Sequence, residues 1–345
     1  MPQVRRRMGA ALLAAALVST LAGCSLVEQI GDARDSVETA GDQGAALDRL
    51  SADLAALDGV DGVEISSHLF DFPPTAEVRV AMAEGATADA WGAAAGLVAD
   101  AVHAAPLSGV RIAAAQHAPD LQLDYPTAGD IDPLAEVGFA TALREAIGPG
   151  LVVVVEGVGE GYRTVGSIDR SDSSTTLGLV ANADAVRAVV ADAADRPTQW
   201  ALPGLSSTLV PPDVVLALIA NSPSPLPPSV MPGDVVDEPF DEPFLWYGFN
   251  RVGEVDQVIL GFLDPGATAP ADSPLWVDYV ARARSVPAAV EGTVVFNAVW
   301  ATGAGIVMGV ACESAGATAD DRTVAAALSD AGLVLDHFTV GACAG

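Results

Sequence analysis

The chain has no lysine. All 16 residues in its combined Lys and Arg count are arginines, against 45 acids in 345 residues. Without a side-chain primary amine there is no Schiff-base chemistry, no P-loop lysine to cradle phosphates and no Ser-x-x-Lys acyl-transfer site. Histidine is scarce too: His68, His103, His117 and His337 never fall at metal-ligand spacing. G-x-S-x-G and H-E-x-x-H are absent. The formal charge of −29 opposes binding to nucleic acid or to anionic headgroups. The expectation is therefore no catalytic constellation, no metal, no cofactor and no nucleic-acid partner. Hydrolysis by a pair of carboxylates stays open, because it needs only two acids at a set separation.

Three cysteines are present, and the first has a telling context. Met1 to Met8 carries Arg5, Arg6 and Arg7 and no acid, and Gly9 to Leu21 is small and apolar throughout. Such a run is a signal-peptide core, too short for a permanent membrane span. It ends in Leu21-Ala22-Gly23-Cys24, which resembles the lipobox of bacterial lipoproteins; the Arg-only, Ala- and Gly-rich composition is similar to that of actinobacterial chains. The resemblance covers these residues alone. It implies a signal peptide over 1–23, acylation of Cys24 by diacylglycerol and a fatty acid such as palmitate, and a lipid-anchored place on the extracytoplasmic face of the cell membrane. Two or more acyl chains anchor stably where one is marginal. Cleavage removes three arginines and no acid, moving the charge from −29 to −32.

Cys312 and Cys343 then form an even pair in an oxidising compartment, where a disulfide is expected. Each ends a strand-like segment, "GIVMGVAC" and "LVLDHFTVGAC", with one helix between. A parallel βαβ crossover would bring both to one sheet edge, within the Cα separation that a disulfide accepts.

Residues 24–44 read as a tether. From Ala45, Leu47, Leu50, Leu54 and Leu57 recur at helical spacing. Strands are expected near 62–69, 76–83, 109–115, 120–124, 151–156, 160–168, 174–180, 198–210, 244–250, 255–263, 291–300, 305–312 and 333–341. Helices are expected near 45–57, 87–104, 133–147, 182–193, 273–285 and 319–331. Gly-Ala-Thr-Ala recurs at 85–88, 266–269 and 316–319, between a strand and a helix, where glycine turns the chain and threonine caps free amides. The order helix–strand–strand, repeated, contains the phase β-α-β-β-α-β. This predicts an α+β fold of tandem ferredoxin-like (split βαβ) modules, antiparallel sheets with helices on one face. Pro223, Pro225, Pro227, Pro228 and Pro232 interrupt the pattern, so 45–220 and 244–345 are expected as modules joined by a Pro-rich acidic linker over 221–243.

Four segments invite a site and are weighed against plainer readings. Gly157 to Gly161 comes after "LVVVVE" like a dinucleotide fingerprint, but the segment beyond it is strand-like where the motif needs a helix, so a hairpin turn fits better. Asp234, Asp237, Glu238, Asp241 and Glu242 lack EF-hand spacing and read as solvated linker. Residues 292–312 are uncharged, yet Asn297 and Thr302 to Gly305 interrupt them, favouring two buried strands and a turn. "FLWYGFN" at 244–250, as a strand, puts Trp246 and Tyr247 on opposite faces, leaving either a ligand platform or a core strand.

The function expected is a cell-envelope lipoprotein with a non-enzymatic binding or scaffolding role. Its partners would be the membrane through the anchor, and an envelope protein or a small ligand. The alternatives are a solute-binding protein of a transporter, or a carboxylate-based hydrolase.

Overall fold

The computed structural model describes residues 36–127, 131–156, 161–193, 196–223, 225–229, 242–252, 255–286, 293–309 and 316–341. Its centre is one sheet of thirteen strands in strictly sequential order. Helix α1 covers 36–55. There follow β1 (Val60–His68), β2 (Thr75–Met82), α2 (Ala88–His103), β3 (Arg111–Ala118), β4 (Leu121–Pro126), α3 (Pro133–Ile147), β5 (Leu151–Glu156) and β6 (Tyr162–Ser167). Then come α4 (Ser174–Ala181), α5 (Ala183–Asp192), β7 (Thr198–Leu202), β8 (Leu205–Ser207), α6 (Asp213–Ala220), β9 (Phe244–Val252) and β10 (Val255–Asp264). A 3-10 turn at Pro270–Asp272, α7 (Trp276–Ser285), β11 (Thr293–Trp300), β12 (Gly303–Met308), α8 (Ala319–Asp330) and β13 (Thr339–Val340) complete the chain.

The unit is a hairpin followed by a helix. Hairpin partners are antiparallel, as in β1/β2 and β3/β4. Strands joined through helices are parallel direct neighbours at β2/β3, β4/β5, β6/β7, β8/β9 and β10/β11, whereas β12 and β13, joined through α8, pair antiparallel. The expected antiparallel ferredoxin-like modules are thus replaced by a single mixed sheet. A split βαβ leaves a gap for a third strand, whereas here each crossover lands on the adjacent position.

Helices do lie on one face: α2 packs on α3, α3 on α4 and α5, and α4 on α6. Arg282 of α7 donates to the Leu218 carbonyl (3.2 Å) at the end of α6 and also bonds that of Asn221, and Arg284 bonds the Ala331 carbonyl after α8. Successive parallel pairs point in opposite directions while the sheet advances one way. With the helices on one face, the α2 and α3 crossovers must therefore have opposite hands. Sequence reasoning assumes one hand for all, and this is where it departs from the fold.

The helix-side face is apolar by alternation. Val78, Val80, Ile112, Leu121, Leu123, Leu151, Val153, Val165, Trp200, Leu245, Tyr247, Val258, Leu260, Phe296 and Val307 are all buried in one continuous core. Two of the three Gly-Ala-Thr-Ala sites act as expected. Thr87 accepts from the Ala90 amide, and Thr318 forms a reciprocal capping box with Asp321. At the third, where the helix is expected only from about residue 273, the Thr268 hydroxyl donates to Asp272 (2.6 Å) in the 3-10 turn, and α7 starts at Trp276.

Other departures have local causes. Residues 174–180, expected as a strand, form α4. Asp172 accepts from the Ser174 amide at its start (2.9 Å), and Gly178 lets it press on α3, since a Cβ there would meet the Ile147 oxygen at 2.0 Å. Close packing outweighs the β-branched composition. Helix α6 has no counterpart among the expected elements, α1 is already formed at residue 36, and the last strand is only Thr339–Val340. The 292–312 region contains two paired strands, β11 and β12, as expected. Strand β8 pairs with β9, so the sheet runs on across the 221–243 segment. Among the described residues no helix is long and apolar enough to cross a membrane.

Candidate functional site

The face of the sheet opposite the helices carries the concave surfaces of interest, and register fixes which residues reach it. At its N-terminal end, Arg79 on β2, Ala115 on β3 and Asp124 on β4 stand in one row, with Glu77, Ala113 and Pro126 in the next. Two alanines therefore floor a trough of about 550 Å³ whose walls include Glu77, Arg79, His117, Gln122 and Asp124. Arg79 Nε donates to Glu77 at 2.7 Å. The Asp124 carboxyl is raised above the usual range, because burial against the sheet outweighs the opposing pull of His117 and Arg79. Beneath, on the helix side, the Tyr125 phenol is buried and pushed up for that reason.

The C-terminal end is different. Gly248, Gly261 and Ser206 lie on the open face of β9, β10 and β8, with Trp246 directly across from Gly261. The indole lies flat on that glycine: a Cβ at Gly261 would come within 1.9 Å of it. Only a residue without a side chain permits this contact. The opposite wall is proline. The 225–229 stretch is extended, as its prolines dictate, and it is docked: the Gly204 amide donates to the Pro227 carbonyl and the Ser229 amide to that of Arg170, both at 2.9 Å. Gly204 makes the β7–β8 turn at φ +69°, with Leu226 so close that any Cβ would collide.

Between these walls is a pocket of about 280 Å³ lined by Phe244, Trp246, Leu263, Pro227, Pro228 and Ser229, among others. Among the described residues, no charged side chain lines it. Ser229 is 5% exposed, and among the described residues its hydroxyl, closed off from solvent, has no partner. Ser206, on the open face of β8, is the exposed hydroxyl-bearing residue of the lining, and a few polar groups in a mainly apolar cavity are what fix a ligand's orientation.

No family model, no curated protein and no solved structure matches this chain. Chemistry therefore has to be read from the residues alone.

The fate of each expected residue can be stated plainly. Cys24, Cys312 and Cys343 lie outside the described residues, as do Gly157 to Glu160 and Asp234 to Asp241. The strands leading towards Cys312 and Cys343 are neighbours but antiparallel, Met308 opposite Thr339. That corrects the parallel arrangement expected of them: the chain leaves β12 and β13 at opposite ends of the pair. Within "FLWYGFN" the core-strand reading holds for Tyr247, which lies in the core, while Trp246 stands on the open face. Of the histidines, His117 lines the trough, and among the described residues no group of three or more His, Cys, Asp or Glu side chains could hold a metal. Sequence reasoning missed Gly261, Leu263 and Ser229. The available clue is the aromatic cluster coming so closely after the proline run, a run that reads in sequence as a mere separator.

Proposed function

We propose that the protein is a lipid-anchored binding protein of the cell envelope, taking a neutral, largely apolar small molecule in the Trp246 pocket. One observation carries this reading: in a chain of formal charge −29, the described lining of that pocket holds no charge and is built mainly from aromatic, aliphatic and proline side chains. Trp246 and the prolines present flat apolar walls, suited to a ring or a short acyl segment. The anchor rests on Arg5–Arg7, the apolar run and Leu21-Ala22-Gly23-Cys24. Delivery of the solute to a transporter is the narrower form of the same role. Thermal-shift titration with neutral isoprenoid and aromatic alcohols should raise the melting temperature of the wild type and leave Trp246→Ala unmoved. Equal shifts for both proteins would refute the pocket. Cys24→Ala should leave the membrane fraction, and the unreduced, unfolded mature chain should show no free thiol if Cys312 and Cys343 pair.

A second reading has its own observation. Glu77 and Asp124 flank the alanine floor from strands two apart and one row out of step, about 12 Å between Cα positions at ordinary strand spacing, a span that side chains leaning together shorten, and Asp124 holds its proton unusually well. That arrangement approaches the carboxylate separation of inverting glycoside hydrolysis. Hydrolysis of aryl glycosides lost in Glu77→Gln and in Asp124→Asn would favour it.

A further inference from the structure

The β1–β2 hairpin ends in Leu69-Phe70-Asp71-Phe72-Pro73-Pro74, and this loop carries apolar surface that the rest of the described molecule avoids. Phe72 is 102% exposed and Phe70 77%. Among the described residues they are the only aromatic side chains that rank as exposed large hydrophobics, and they sit two apart on one loop. The loop has one charge, Asp71, and its two prolines have no amide hydrogen to be stripped of water.

Its position is set by lengths. Helix α1, 20 residues, and β1, 9 residues, are both about 30 Å long and run in opposite directions from a short turn. The first turn of α1 and the hairpin loop thus come to the same end of the molecule. A Cβ on Gly44 would touch Leu69 at 3.9 Å, which sets the base of the loop against α1 about two turns, roughly 12 Å, from the helix start. Val37, another of the exposed hydrophobics, lies on that first turn. From residue 36 back to Cys24 there are only eleven intervening residues, at most about 40 Å of extended chain.

We infer that Phe70 and Phe72 form a second membrane contact, seated in the bilayer interface beside the acyl anchor. The inference rests on the proposed acylation of Cys24, which brings this end within reach of lipid. Aromatic rings are suited to the interface, and an apolar tip in which only Asp71 is charged is what an acidic body can bring to a negatively charged surface. The acyl chains would supply affinity. The tip would set orientation, with β1 and β2 rising from the membrane and the open sheet face standing clear of it.

The test uses the full mature lipidated chain in phosphatidylglycerol–phosphatidylethanolamine vesicles. Phe72 is fully exposed, so Phe72→Trp leaves packing intact and places a reporter on the tip. Lipids brominated near the headgroup should quench the added tryptophan emission by at least twofold relative to the unsubstituted chain. Phe70→Ser/Phe72→Ser should stay vesicle-bound but lose protection of the 69–74 amides from hydrogen exchange. Absence of quenching in a chain that is still bound would overturn the inference and leave the anchor standing. Cys24→Ala remaining bound as well as wild type would instead overturn the anchor, whatever the quenching shows; a wild-type chain that fails to bind at all overturns both.

Discussion

The stretches β2–β4 and β8–β10 share one plan: parallel neighbours joined through a helix, then a hairpin partner. On the helix side both are filled, though differently. The N-terminal half buries ions: Arg163 makes a two-pronged contact with Glu136 (2.6 and 3.1 Å), lies 4.6 Å from the Phe139 ring centre, and shares that carboxylate with Arg196, itself 6% exposed. The C-terminal half packs Phe262, Trp276 and Tyr279 against one another at centroid distances of 5.5 to 6.2 Å. On the open side the contrast is sharper, a charged trough over alanines against an uncharged pocket under tryptophan. The helix side must exclude water whatever fills it. The open side is under no such demand, so the two stretches are free to diverge there.

The contrast can be broken at Glu136. Glu136→Gln removes the buried carboxylate that Arg163 and Arg196 share, and should cost about 3–5 kcal/mol in urea denaturation. Next, Gly261→Val must lift Trp246 off the sheet, a loss of about 1–3 kcal/mol, while the same enlargement at Ala115→Val in the trough should stay within about 0.5 kcal/mol. Equal costs at the two positions would show that the faces are not packed differently. Tyr279→Phe removes a hydroxyl bonded to the Leu260 and Asn297 carbonyls (3.2 and 3.3 Å) and should cost about 1 kcal/mol. The smallest effect is expected at Asp124. Its folded-state pKa lies above the unfolded value, so its contribution to stability is complete below the unfolded pKa and is lost as pH rises through the folded one. Asp124→Asn should therefore be slightly more stable than wild type at pH 7 and indistinguishable at pH 3, in paired denaturation curves.

Much of this molecule is legible from local rules. Alternation in "AEVRVAM", "LVVVV" and "TVVFNAVW" marks β2, β5 and β11, and Thr87 and Thr318 mark helix starts. These signals are carried by residues close together in the chain. The illegible parts depend on distant partners. "STTLGLV" is helical because Gly178 meets Ile147, and Pro227 is a wall because Gly204 holds its carbonyl. Trp246 stands out in the sequence, but only Gly261, fifteen residues on, makes its ring a platform. The strand order itself turns on crossover hand, which no residue pattern encodes.

Sequential strand order also bears on how the sheet can be assembled. Each pairing joins a strand to the one just before it, so closing a pair needs only the intervening turn or helix to be ordered. A split βαβ unit must hold a space between two early strands until a later one inserts; this sheet has no such step. A chain delivered N-terminus first across a membrane could be fixed strand by strand from β1 onward. At every stage it would present a single growing edge, which the next segment to emerge covers.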